Sequence, residues 1–236
     1  MKQVIAVLSF ALMLAVAAPV QAQLSLRQAE KPKKVRKETE RVEKAAIKDI
    51  KTKAIKEARK EGKRIKKQGF AVFPGSMPVE KQLEKVWIKQ YEENVDGTTK
   101  YIFADGNGVG KTQTSAELQA MEAAKLQLAG QISNEINQII ESKIANDQLD
   151  RETGQSLTKF VAGGKNYIVQ HLTYVRPGFK VYRNVGKKDM EVFVKLYYNA
   201  EEAYAAAERA LEAKAKAELE EEADLLIDEI NRLLDR

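Results

Sequence analysis

The residues with the most obvious capacity for chemistry are Gly106-Asn107-Gly108-Val109-Gly110-Lys111-Thr112. In a phosphate-binding loop, glycines let backbone N–H groups wrap the phosphates, a lysine neutralises charge and a Ser or Thr hydroxyl reaches magnesium. That arrangement needs glycine at position 105, where this chain has Asp105. A carboxylate there would crowd the phosphate oxygens, and no parallel strand-helix series follows. The segment is therefore expected to be a flexible glycine turn feeding a helix, with no nucleotide bound.

Other catalytic constellations fail on residue supply. His171 is the only histidine and there is no cysteine, so multi-imidazole and thiolate metal sites are excluded, as are disulfides. His171 is expected mid-strand beside Tyr167, Val169, Thr173 and Val175, as a packing residue rather than a base. The carboxylates Glu92 with Glu93, and Glu220 to Glu222, fall on expected helix surfaces and read as solvated faces. Trp87, the sole tryptophan, reads as a core anchor. No catalytic, cofactor-binding or metal-binding residue is assigned, and the chain is expected not to be an enzyme.

Charge is distributed unevenly. Residues 27–67 hold 18 Lys and Arg against 7 Asp and Glu, whereas residues 201–236 hold 12 acids against 5 bases. The basic arm lacks interleaved aromatics, so nucleic acid is not the expected partner. Two alternatives remain: the arm holds an anionic envelope glycan or lipid, or it pairs with the acidic C-terminal helix within or between molecules. The second is slightly preferred.

Several elements must position these groups. Residues 35–68 favour helix, with Val42, Ala46, Ile50, Ala54 and Ala58 at steps of four; Gly62 weakens it and Gly69 ends it. After a Pro74-Gly75 connection, Pro78 suits the first turn of a second helix that aligns Leu83, Val86, Trp87 and Tyr91. Asp96-Gly97 makes a turn before a short strand, 99–104. Residues 114–144 form the strongest periodic element, a long helix with Met121, Ala124, Leu128, Ile132, Ile136 and Ile139 on one stripe. A shorter helix covers 150–162. Strands at 167–175, 179–183 and 190–198 then make an antiparallel meander, with Arg176-Pro177-Gly178 as a type II turn and 186–189 as a polar turn. The last segment, 200–236, reads as one helix with a coiled-coil seam at Leu219, Ala223, Leu226, Ile230 and Leu233.

The first residues have the layout of a secretory signal. Lys2 precedes an almost wholly apolar run from Val4 to Ala18, and Val20-Gln21-Ala22 supplies small residues where a peptidase reads, so cleavage is expected between Ala22 and Gln23. Lipoprotein processing would need a cysteine after the cut and is excluded. An exported chain also has little access to ATP, which weighs further against a nucleotide loop.

The run from Thr112 through Ala116, Ala120, Ala123 and Ala124 to Leu128-Ala129-Gly130-Gln131-Ile132 resembles the alanine-spaced helix of the 20-kDa Lpp-type surface lipoprotein family. It is similar also to the N-terminal domain of the flagellar T-ring protein. A later strand of that family resembles Met190 to Tyr198, so the likeness covers 99–198. Residues 55–105, with Lys66-Lys67-Gln68-Gly69-Phe70, Pro74-Gly75-Ser76 and Glu80-Lys81-Gln82-Leu83, resemble exported proteins of the Bacteroidetes type with no assigned function. The resemblance implies an envelope protein whose α+β domain serves assembly or surface interaction.

The expected fold is α+β: an antiparallel sheet, one strand plus a three-stranded meander, packed by a long helix, with helical extensions at both ends. The expected organisation is a signal peptide (1–22), a basic helical arm (23–68), an α+β domain (69–198) and an acidic C-terminal helix (199–236). The expected function is structural, assembly or interaction work in the periplasm or at the outer membrane, through an envelope protein or self-association of the terminal helices. The alternative is a binding module for anionic glycan or lipid, and an exported hydrolase is the remote third.

Overall fold

The computed structural model describes residues 41, 44–94, 97–173, 175–218 and 223–234. The chain divides into two units, Met1–Thr52 and Lys53–Arg236. In the first, residues 44–52 are helical, and the Thr52 hydroxyl donates to the Lys48 carbonyl at 2.8 Å. The expected signal segment and its cleavage point, the leader at 23–34, Val42, Asp96, Leu219 and the acidic run at 220–222 lie outside the described residues.

The second unit begins with a helix over 53–67, here α1. It is followed by α2 (Val79–Gln90), β1 (Tyr101–Gly110), α3 (Gln113–Ala145), α4 (Arg151–Gly163) and α5 (Lys165–His171). The chain continues through β2 (Pro177–Val185), β3 (Asp189–Asn199), α6 (Ala200–Glu218) and α7 (Ala223–Leu234). The three strands form one antiparallel sheet in the order β1-β3-β2, with β1 on an edge. This is the expected α+β architecture, a sheet packed by a long helix with helical segments at its ends.

The long helix lies against one sheet face, and glycine decides how closely. Gly106, Gly108 and Gly110 are strand residues, not a loop, and alternation turns all three toward α3. A Cβ on Gly106 would stand 2.1 Å from the Ala120 carbonyl oxygen, and one on Gly108 would stand 2.3 Å from that of Ala116. The expected flexible turn is therefore corrected: the glycines remove side chains where helix backbone touches strand backbone. Ala116, Ala120 and Ala124 complete the contact, packing with Val192, Val194 and Leu196 of β3.

The buried stripe of α3 continues at steps of four through Leu128, Ile132, Ile136 and Ile140. Each step of four overshoots a full turn by about 40°, so the stripe winds around the helix. Its first half faces the sheet. Its second half faces a separate cluster with Leu157 and Val161 of α4, Ile168 of α5, and Ala203, Ala207 and Leu211 of α6. One helix thus serves two cores. Ile140, not the expected Ile139, is the buried member of the last turn.

Two further expectations are corrected. The strand expected at 167–175 is helix over Lys165–His171, because Ile168 and Leu172, one turn apart, bury together in the cluster around α3. Strand propensity of a few β-branched residues is weak against that packing. With the preceding strand gone, Arg176-Pro177-Gly178 is no hairpin turn; Pro177 begins β2 and the ladder shifts between Pro177 and Phe179. The single C-terminal helix is instead two, α6 and α7. The seam residues Leu226 and Ile230 pack into the domain's own core, and Lys143 Nζ at the end of α3 donates to the Arg232 carbonyl at 3.4 Å.

The start of α3 is fixed by its own sequence. Thr112 is the N-cap, its hydroxyl accepts from Ser115 N at 3.2 Å, and the Ser115 hydroxyl accepts in return from Thr112 N. Thr112→Ala should cost about 1 kcal/mol, seen as a lower urea midpoint at unchanged slope. An unchanged midpoint would show that the sheet contact alone positions this helix end.

Candidate ligand-binding face and cleft

The opposite sheet face is covered by α1 and α2. The buried residues of α1, Ala54, Ala58, Gly62 and Ile65, are small where the helices meet; a Cβ on Gly62 would lie 3.2 Å from Glu80 Cγ. Ala58 and Ile65 pack with Val79, Leu83 and Val86 of α2 and with Phe179 and Val181 of β2. At the end of α1, Arg183 of β2 acts as a clamp. Its Nη1 donates to the Gln68 carbonyl at 2.9 Å, its guanidinium lies 4.6 Å from the Phe70 ring centroid, and its Nε pairs with Glu191 at 2.6 Å.

With the inner face of α1 fixed, its outer face carries unbalanced charge. Lys56, Arg59, Lys60, Lys63 and Lys67 are exposed and spaced i, i+3, i+4, i+7 and i+11, one helix face about 16 Å long. Among the described residues none of the five has an acidic partner. Among the described residues no ion pair joins 54–67 to 200–218 or 223–234. The buried face of α6, with Ala206, Ala210 and Ala215, is enclosed by its own domain.

Below this stripe lies an open cleft of about 650 Å³, bounded by α1, α2, β1, β3 and Gln127 of α3. A chain of polar contacts fixes its floor. The Trp87 indole N–H donates to Glu61 Oε2 at 2.8 Å, Lys195 Nζ stands 3.3 Å from Glu61 Oε1, and the same ammonium reaches Asp105 at 2.9 Å. Asp105 N donates to Gln127 Oε1 at 2.8 Å, tying the strand edge to α3. Trp87 is half-buried: it packs on the Leu83–Phe179 cluster and also lines the cleft. The expected core anchor is thus only part of its role.

Lys66 joins α1 to α2 through Glu80 at 2.6 Å. The hydrogen bond from Lys66, helped by one from the backbone and partly opposed by burial, holds the Glu80 carboxyl below its ordinary value of 4.5. A depressed folded-state pKa contributes stability that is complete above the unfolded value and lost as pH falls through the folded one. Both partners are part exposed, so the contribution should be a few tenths to about 1 kcal/mol. Urea titrations should show wild type more stable than Glu80→Gln at pH 7, with the gap closing below about pH 4; a gap constant with pH would assign the effect to packing.

The other sequence-derived candidates are dispersed. Lys111 precedes the Thr112 cap and faces no glycine cradle. His171 ends α5, with Nδ1 2.9 Å from the Tyr167 carbonyl oxygen, far in role from any triad. Glu92 pairs with Lys89 at 3.1 Å, whereas Glu93 bridges Thr99 through its backbone. Among the described residues no cluster of three metal-ligating side chains occurs, and no helix is long and apolar enough to cross a membrane. Sequence reasoning did not find Glu61, Asp105 or Lys195. The one available signal was alternation: Phe103 and Asp105, and likewise Phe193 and Lys195, must share the sheet face opposite the glycines.

Comparison with family models found no match to the chain. Comparisons with curated proteins and with solved structures likewise returned none.

Proposed function

We propose that this is an exported, non-enzymatic binding protein of the cell envelope that holds an anionic envelope polymer on the outer face of α1. The observation carrying this reading is the five-cation stripe, unpaired among the described residues, on a helix whose other face is locked to the sheet. A rigid row of like charges raises the local concentration of a polyanion and holds it without an ordering cost on the protein side. The signal-like residues 1–22 and the likeness to surface-lipoprotein and T-ring domains support the compartment. Assembly through the terminal helices is the second role of the same proposal. The test is binding of anionic polysaccharide and of phosphatidylglycerol vesicles by the full chain across a salt series, beside a variant lacking the stripe.

A further inference from the structure

We propose that the cleft under α1 is a sugar-ring site, so that the polymer on the stripe is an anionic glycan. This rests on the polyanion reading and deepens it. The lining is balanced in charge: Glu57, Glu61 and Asp105 face Lys60, Arg64 and Lys195. A simple anion would select an excess of cations, and an acyl chain would select apolar walls. Here the apolar side chains are Val86, Trp87 and Phe103, set among eight charged or amide ones. A pyranose matches this mixture, offering a C–H face to an aromatic ring and hydroxyls to planar carboxylates and carboxamides.

The floor is organised before any ligand arrives, because Trp87, Glu61, Lys195 and Asp105 are joined in series. Groups free to meet hydroxyls stand around it: Gln90 and Glu57 have no hydrogen-bond or ion-pair partner among the described residues. The cleft volume, about 650 Å³, is in the ordinary range of small-ligand sites. Lys60 belongs both to the stripe and to the lining. One chain of alternating charged and uncharged sugars can therefore lay its anionic groups along α1 and lower an uncharged ring beside Trp87.

Trp87 is the only tryptophan, so its emission reports the cleft directly. The full chain is titrated with hyaluronate oligosaccharides, in which charged and uncharged sugars alternate, and separately with phosphatidylglycerol vesicles. Hyaluronate should shift the emission. Trp87→Phe, which keeps an aromatic in the core, should weaken hyaluronate about tenfold by calorimetry, and Gln90→Ala, at an exposed position, about threefold. Salt dependence should be unaltered in both. Hyaluronate binding with no emission change and no loss in either variant overturns the cleft while leaving the stripe reading intact. Binding to vesicles alone overturns the glycan assignment, and binding to neither probe removes the polyanion reading as well.

Discussion

Gly108→Val is expected to unfold the domain or leave it severely destabilised. The first atom of the new side chain would stand 2.3 Å from the Ala116 carbonyl oxygen and 2.4 Å from Ala120 N. Both are backbone atoms of α3, so no rotamer change relieves the clash and the helix must lift from the sheet. Lifting it opens the Ala116, Ala120 and Ala124 contact with Val192 and Val194 as well. Overpacking usually costs about 1–3 kcal/mol where neighbours can adjust; here they are main chain, and a loss above about 3 kcal/mol is expected, a large share of a typical domain's 5–15 kcal/mol. Gly130→Ala in the same helix is the control. Nothing lies within 4 Å of a Cβ at that position, and removing a helix-interior glycine should stabilise by about 0.5–1 kcal/mol. Chemical denaturation of the two variants should thus move in opposite directions. A tolerated valine at position 108 would refute the close contact between α3 and β1.

The second large effect concerns binding. Converting Lys56, Arg59, Lys60, Lys63 and Lys67 together to glutamine should abolish polyanion binding while leaving the fold intact, since all five are exposed. A Lys or Arg near an anionic surface contributes about 1 kcal/mol, so losing five should reduce affinity at low salt by more than about a hundredfold. Wild-type affinity should itself fall steeply between 0.05 and 0.5 M salt, as the Debye length drops below about 10 Å. Circular dichroism and the urea midpoint should be near wild type, because glutamine keeps helix propensity and repulsion along the stripe is relieved. Undiminished binding by the variant would end the proposed function.

The legible parts of the fold were those with long periodicity. Residues 114–144 announced α3 to within one residue at each end, and Met190 to Tyr198 announced β3, because each pattern repeats over several turns or pleats. The segment at 167–175 misled because nine residues are too few to separate the two periods, and burial of Ile168 against α3 decided the outcome. The glycine motif misled differently. Read for phosphate chemistry it suggested a turn, whereas its spacing of two is that of a strand, and the alanines at 116, 120 and 124 were its complement four residues apart. The cleft could not be read because Glu61, Trp87, Asp105 and Lys195 come from four elements separated by up to 134 positions.

By itself the sequence determined which chemistries are closed to this chain, where its charge is concentrated, and that a small-residue helix would lie against alternating strands. Those properties follow from residue inventory and local period. Only the tertiary structure decided that the glycines are contact points rather than a loop, that five cations of α1 share one exposed face, and that a tryptophan, two carboxylates and a lysine share one cleft. Such outcomes depend on which helix covers which sheet face, and that is settled by the fit of whole surfaces: glycine against alanine on one side, the small face of α1 against α2 on the other.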